Sequence, residues 1–157
     1  MTEQRICTVR EVWQALDQLA PPALAAEWDT AIGLEVGSPD ARVSKAMIAL
    51  DVTADVIAKS QATDCQLIIC HHPLIFTPLV TLRQDIPEQS LITSLVQKGI
   101  SLLAAHTNLD AAPGGVADCL ADIFGLEQDC RQQAGPYGRF GLLRQPVSLR
   151  TLLHMTR

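Results

Sequence analysis

The sequence predicts an α/β fold: a mostly parallel sheet flanked by helices. Apolar runs at 46–50, 67–70 and 100–105 alternate with stretches of helical periodicity, and the helical stretches begin or end on residues suited to helix termini. Strands joined through helices need crossover connections, which run right-handed and leave the strands parallel. With 157 residues, the chain suits one domain with its own core. Hydrophobic residues make up 48% and charged residues 18%, too apolar a balance for disorder, while charges or turn residues break every apolar run before it is long enough to span a membrane.

The first helix signal is a capping box, Thr8 followed three residues later by Glu11, with Val9, Val12, Trp13, Leu16 and Leu19 at helical spacing and a stop at Pro21 and Pro22. The glycine-marked stretch that follows reads as a loop with a short strand around 34–36, and Trp28 is expected to pack. Thr53 opens a helix between the first two apolar runs. Pro87 opens the next, with Leu91, Ile92, Leu95 and Val96 on one face and Gly99 where a left-handed cap belongs. A helix from about Gly115 is expected to turn Val116, Leu120, Ile123 and Phe124 inward and to stop at Gly125. Beyond Asp129 the pattern loosens, with one further strand expected around 140–143. Ser148 reads as the N-cap of a helix too short to stand alone.

Twelve Lys and Arg against seventeen Asp and Glu give a net charge of −5, so no basic field is present to hold a polyanion, and bulk nucleic-acid binding is not expected. The start of the chain lacks a basic segment followed by an apolar one, which reads as cytoplasmic. Five cysteines without a CxxC pair argue against a disulfide framework and against a thiolate zinc site. Cys70 reads either as a small hydrophobe that packs, which is favoured, or as a soft ligand.

Each of the three central strands runs into polar residues: Asp51 after the first, His71 and His72 after the second, His106 and Asp110 after the third. Parallel strands bring these residues to one sheet edge, where α/β proteins place their ligands. In a regular strand neighbouring side chains point to opposite faces, so His71 and His72 suit two ions better than one, with Pro73 setting the pair at the strand exit. Asp110 is the candidate to bridge both ions. The histidine pair also reads as a polar strand end that meets backbone carbonyls, and Asp110 as the cap of the helix after it. For Asp51 and His106, orienting a ligand from behind is favoured over ligation. Imidazole and carboxylate donors suit Zn²⁺, Fe, Mn²⁺ or Ni²⁺ without choosing among them. Ions with open positions would acidify a water and orient phosphate or amide oxygens, which makes the hypothesis one of hydrolysis.

The segments WDTAIGLEVG at 28–37, ALDVTADVIAKSQATDCQLIICHHPLIFTPL at 49–79 and AAHTNLDAAPGGVADCLADIFGL at 104–126 resemble the GTP cyclohydrolase I type 2 homologues, the Ngg-one-interacting-factor-three-like family. HHPLIF and HTNLD in this order carry the resemblance. It implies the N-terminal half of that family's fold and two divalent metal ions, with His71, His72 and Asp110 as ligands. It also implies ring-shaped hexamers, hence a homo-oligomer, and admits a small phosphorylated ligand. His106 is then the expected proton carrier of a metal-dependent hydrolase acting on small phosphorylated or nucleotide-type substrates. The alternatives are a non-enzymatic metal-binding assembly or regulatory protein, or an inactive truncated member.

Two departures stand out. WDTAIGL is one residue longer before its glycine than the family's WDNxGL, which bears on any role for Asp29. The family's HxxxE ligands also find no match, since His154 is followed only by Met155, Thr156 and Arg157. The expectation is therefore a metal-binding α/β domain over 1–145, a truncated following element over 146–157, and an incomplete metal site.

Overall fold

Thr8 and Glu11 start the first helix as their spacing predicts. Thr8 Oγ1 accepts from the Glu11 amide at 3.3 Å, and the Glu11 carboxylate accepts from the Thr8 amide at 2.7 Å. Such a cap is worth about 1 kcal/mol because it satisfies amides that have no partner within the helix. The computed structural model describes residues 6–155. Residues 1–5, on which the leader reading falls in part, and residues 156–157, at the end of the unmatched HxxxE comparison, lie outside the described residues.

In chain order the elements are β1 (Cys7–Thr8), α1 (Val9–Leu19), β2 (Gly33–Val36), β3 (Arg42–Val43), β4 (Ala46–Ala49), α2 (Ala54–Ala62), β5 (Leu67–Cys70), α3 (Pro87–Lys98), β6 (Ser101–Ala104), α4 (Thr107–Ala111), α5 (Val116–Ile123), β7 (Gln132–Ala134), β8 (Gly138–Phe140) and α6 (Leu149–Met155). The central sheet has the order β2-β6-β5-β4. β4, β5 and β6 are parallel, and β2 joins β6 antiparallel at one edge. The fold is thus α/β with a mostly parallel sheet.

Alternation along the strands builds two cores. Ile68, Leu102 and Val36 point to the face covered by Ile57 of α2 and by Ile92 and Leu95 of α3. Leu67 and Leu103 point to the other face, against Val9 of α1 and Val43 of β3. That second cover stops short of the edge strand, where Ile48 stays 81% exposed. Gly99 closes α3 in the left-handed region at φ 63°, a conformation that a side chain disfavours.

Several expectations change. Trp28 does not pack but stands 63% exposed. On α5 the buried residues are Ala117 and Ala121, while Leu120 and Ile123 face outward. The start of α5 stands close to α4: a Cβ on Gly115 would lie 1.9 Å from Leu109 O. Leu19 is likewise exposed. The late strand is Gly138–Phe140, paired with Gln132–Ala134, and Leu143 makes only an isolated bridge to Leu126. Among the described residues, no helix is long and apolar enough to cross a membrane.

Candidate functional site at the carboxyl edge of the sheet

The three parallel strands end side by side, and the residues beyond them meet. The His71 and His72 ring centroids are 5.0 Å apart, and His106 lies 5.4 Å from His71 and 5.9 Å from His72. The pair sits at the strand exit with its rings splayed, 53° between their planes. β5 ends at Cys70, while the His71 and His72 amides still reach Ala49 O and Leu50 O, so both rings stand just beyond the paired strands.

Polar partners set the ring orientations. His71 Nδ1 donates to Ala105 O at 3.0 Å, and His72 Nδ1 donates to Asp51 Oδ1 at 2.7 Å. A carbonyl or carboxylate oxygen only accepts, so each Nδ1 carries a proton, and in the neutral imidazole each Nε2 keeps its lone pair. His71 Nε2 faces Asp110 Oδ1 at 3.5 Å.

The HTNLD segment is short but closely tied. Asn108 Oδ1 accepts from the His106 amide at 2.9 Å, while Asn108 Nδ2 donates to Ala20 O at 2.7 Å. Thr107 Oγ1 donates to Asp29 Oδ2 and accepts from the Ala26 amide at 3.0 Å. These bonds seat the single turn of α4, which carries Asp110 four residues after His106. The turn places Asp110 inside a helix, not at the cap of the next one.

Asp29 is buried, and its Oδ2 stands 3.0 Å from His106 Nδ1. That nitrogen and Asp29 Oδ1 are both buried and make no well-aligned hydrogen bond. Burial opposes ionisation of Asp29, but the Thr107 hydroxyl and amide, together with His106, outweigh it and hold the carboxyl below its usual range. Asp29 therefore stands behind His106.

Sequence reasoning missed Glu35. Its carboxylate accepts from the Leu74 amide at 3.0 Å and the Ile75 amide at 2.9 Å, fixing the loop that follows the histidine pair. Burial pushes the Glu35 carboxyl up, against the pull of those amides. A polar residue amid the apolar positions of 34–36 was its only sequence signal. Cys70 packs: its thiol donates to Leu103 O at 3.5 Å, and burial, with Glu35 adding to it, pushes the thiol up to about 12. The thiol thus packs in its protonated form.

Among the described residues, no group of three His, Cys, Asp or Glu side chains forms a ready-made metal cage. What the edge offers is a paired imidazole and carboxylate, a second imidazole held by Asp51, and a third backed by a buried aspartate.

A sheet of this order with HHP and HTNLD at its carboxyl edge defines a class, and comparison with known proteins gives the same answer. The family model Duf34/NIF3 (NGG1p interacting factor 3) matches residues 7–156, and the chain belongs to this family. A "GTP cyclohydrolase 1 type 2 homolog" from Mycobacterium tuberculosis is 40% identical over 119 residues, covering 76% of this chain and 31% of that protein. The chain thus spans about a third of the length of the curated relatives it matches. A Bacillus cereus protein related to NIF3 superposes with a TM-score of 0.75 at 38% identity, over 79% of this chain and 34% of the other. Reduced HcgD from Methanocaldococcus jannaschii superposes at 0.82 with 30% identity, over 98% of this chain and 60% of the other.

Proposed function

We propose that this chain binds divalent metal ions at His71, His72 and Asp110 and that the site serves hydrolysis of small phosphorylated or nucleotide-type substrates. One observation carries the reading. In the neutral imidazole, with Nδ1–H bound to Ala105 O, the lone pair of His71 Nε2 faces a carboxylate oxygen of Asp110 at 3.5 Å, two electron donors aimed at each other. A cation between them satisfies both. The hydrogen bond from His72 to Asp51 is of the kind that orients a metal-ligating imidazole and raises its basicity.

Imidazole and carboxylate donors fit two ions of Zn²⁺, Fe, Mn²⁺ or Ni²⁺. When bound, such ions supply Lewis acidity and a water made nucleophilic at neutral pH. This chain's residues do the rest: Asp51 and Ala105 O orient the imidazoles, and His106, backed by Asp29, carries a proton. Three ligands leave two ions under-coordinated, so weak retention is part of the reading. The uncovered edge around Ile48 supports self-association into a homo-oligomer.

Metal titration followed by elemental analysis tests the binding, and a phosphoester and nucleotide screen with added Mn²⁺ or Zn²⁺ tests the activity. Metal-dependent turnover abolished by His72→Ala supports hydrolysis. Metal uptake without turnover favours a non-enzymatic assembly or regulatory role. No uptake by the folded chain overturns the reading.

A further inference from the structure

We propose that Trp28 and Phe76 form a stacking platform for a planar heteroaromatic ring, which makes the ligand of this edge a nucleobase-bearing molecule and not a plain sugar phosphate. The proposal deepens the functional reading, resting on it for the phosphoryl end of the ligand only.

The two rings are largely in solvent, Trp28 at 63% exposure and Phe76 at 50%, yet they lie beside the histidines. The Trp28 centroid is 6.2 Å from His106 and 6.3 Å from Phe76, and Phe76 is 6.3 Å from His106. Phe76 meets His106 edge-on at 88°, and Trp28 meets it at 73°, so each aromatic presents a different face around one imidazole.

An exposed indole on a mobile loop would carry little meaning. Here the backbone is anchored on both sides. The Ala26 amide donates to Thr107 Oγ1, the Asp29 amide donates to Ala26 O at 2.9 Å, and the buried Asp29 side chain is bound to Thr107. Phe76 follows Leu74 and Ile75, whose amides are held by Glu35. Two anchored loops from separate parts of the sequence therefore hold apolar rings in water, and an exposed apolar patch next to convergent polar groups marks a binding site.

The occupant follows from the chemistry. Any base has a π-face, and stacking on an aromatic side chain is sequence-tolerant and strong enough to discriminate at least about fivefold against a ligand lacking a ring. The net charge of −5 provides no field for a polymer, so the ligand is of single-nucleotide size.

The test uses the whole chain, metal-free and Mn²⁺-loaded, with adenosine, adenosine 5′-monophosphate and ribose 5-phosphate as probes, read by tryptophan fluorescence and calorimetry. Adenosine is expected to quench emission with or without metal. Adenosine 5′-monophosphate is expected to bind about fivefold or more tighter than ribose 5-phosphate. Trp28→Ala should remove both effects and Trp28→Phe should retain part of the preference, with circular dichroism unchanged because the ring is exposed. Equal binding of the two phosphates, a base preference that survives Trp28→Ala, or no binding of adenosine would overturn the platform. Loss of metal binding with adenosine quenching intact would instead sink the metal reading and leave the platform standing.

Discussion

His72 Nδ1 stands 2.7 Å from Asp51 Oδ1, so the residue that follows one parallel strand orients an imidazole that follows the next. The contact is possible because β4 and β5 are paired in parallel and end in register, Ala49 opposite Cys70. Amide bonds from His71 to Ala49 O and from His72 to Leu50 O extend the pairing past the strands and hold the two loops together.

Asp51→Ala should therefore weaken metal binding by about 10- to 100-fold without removing a ligand. Competition against a chromogenic zinc chelator measures it. Unchanged affinity would mean that His72 does not ligate, or that its ring needs no such partner.

Glu35→Ala leaves the Leu74 and Ile75 amides without their acceptor and should cost about 1–3 kcal/mol, read as a lower urea midpoint. Glu35→Gln, which keeps one amide oxygen and no buried charge, should cost less. Equal losses would indicate that the charge, not the accepted bonds, holds the loop.

Gly115 has an ordinary φ of −77°, so its requirement is spatial: a methyl group would press on Leu109 O from 1.9 Å. Gly115→Ala should cost about 1–3 kcal/mol and loosen the seat of Asp110. Gly114→Ala, in open space at φ 72°, should cost about 1 kcal/mol from backbone strain alone. Chemical denaturation of both variants compares the two; a larger loss at Gly114 would contradict the close approach.

Asp118 ties β8 to α5, accepting from Arg139 Nε at 2.6 Å and from the Gly114 amide at 2.8 Å. The Arg139 hydrogen bond holds its carboxyl below the ordinary value of 3.8 despite the cost of burial. A depressed carboxyl stabilises the fold above that ordinary value and loses its contribution as pH falls through the lower folded one. Asp118→Asn should therefore be less stable than wild type at pH 7, with the gap closing in urea titrations run below pH 3.8. A gap that stays constant with pH would show that the charge of Asp118 contributes nothing.

Local chemistry made most of the scaffold legible. The Thr8 and Glu11 cap, Thr53 at the start of α2, Pro87 opening α3 and Gly99 closing it each depend on neighbours within one helical turn, and each is found in place. The meeting of His71, His72, His106, Asp51 and Asp110 at one edge followed from strand direction, which the crossover rule supplies. Five-residue α4 escaped notice because no side chain caps it and its hold comes from Asp29 and Ala20, far away in sequence. Periodicity on α5 favoured the large residues Leu120 and Ile123, yet the buried residues are Ala117 and Ala121, because neighbours in space and not the helix's own period decide which stripe is covered.

By itself the sequence determined the alternation of the three central strands with their helices, the parallel pairing of those strands and the set of polar residues at their carboxyl edge, because these depend on hydrophobic period and helix-end chemistry read over a few residues. Only the tertiary structure decided which imidazole nitrogen is free, which carboxylate stands behind each ring, and that Trp28 faces water beside His106. Those outcomes depend on hydrogen bonds between residues dozens of positions apart, whose partners exist only once the sheet has formed.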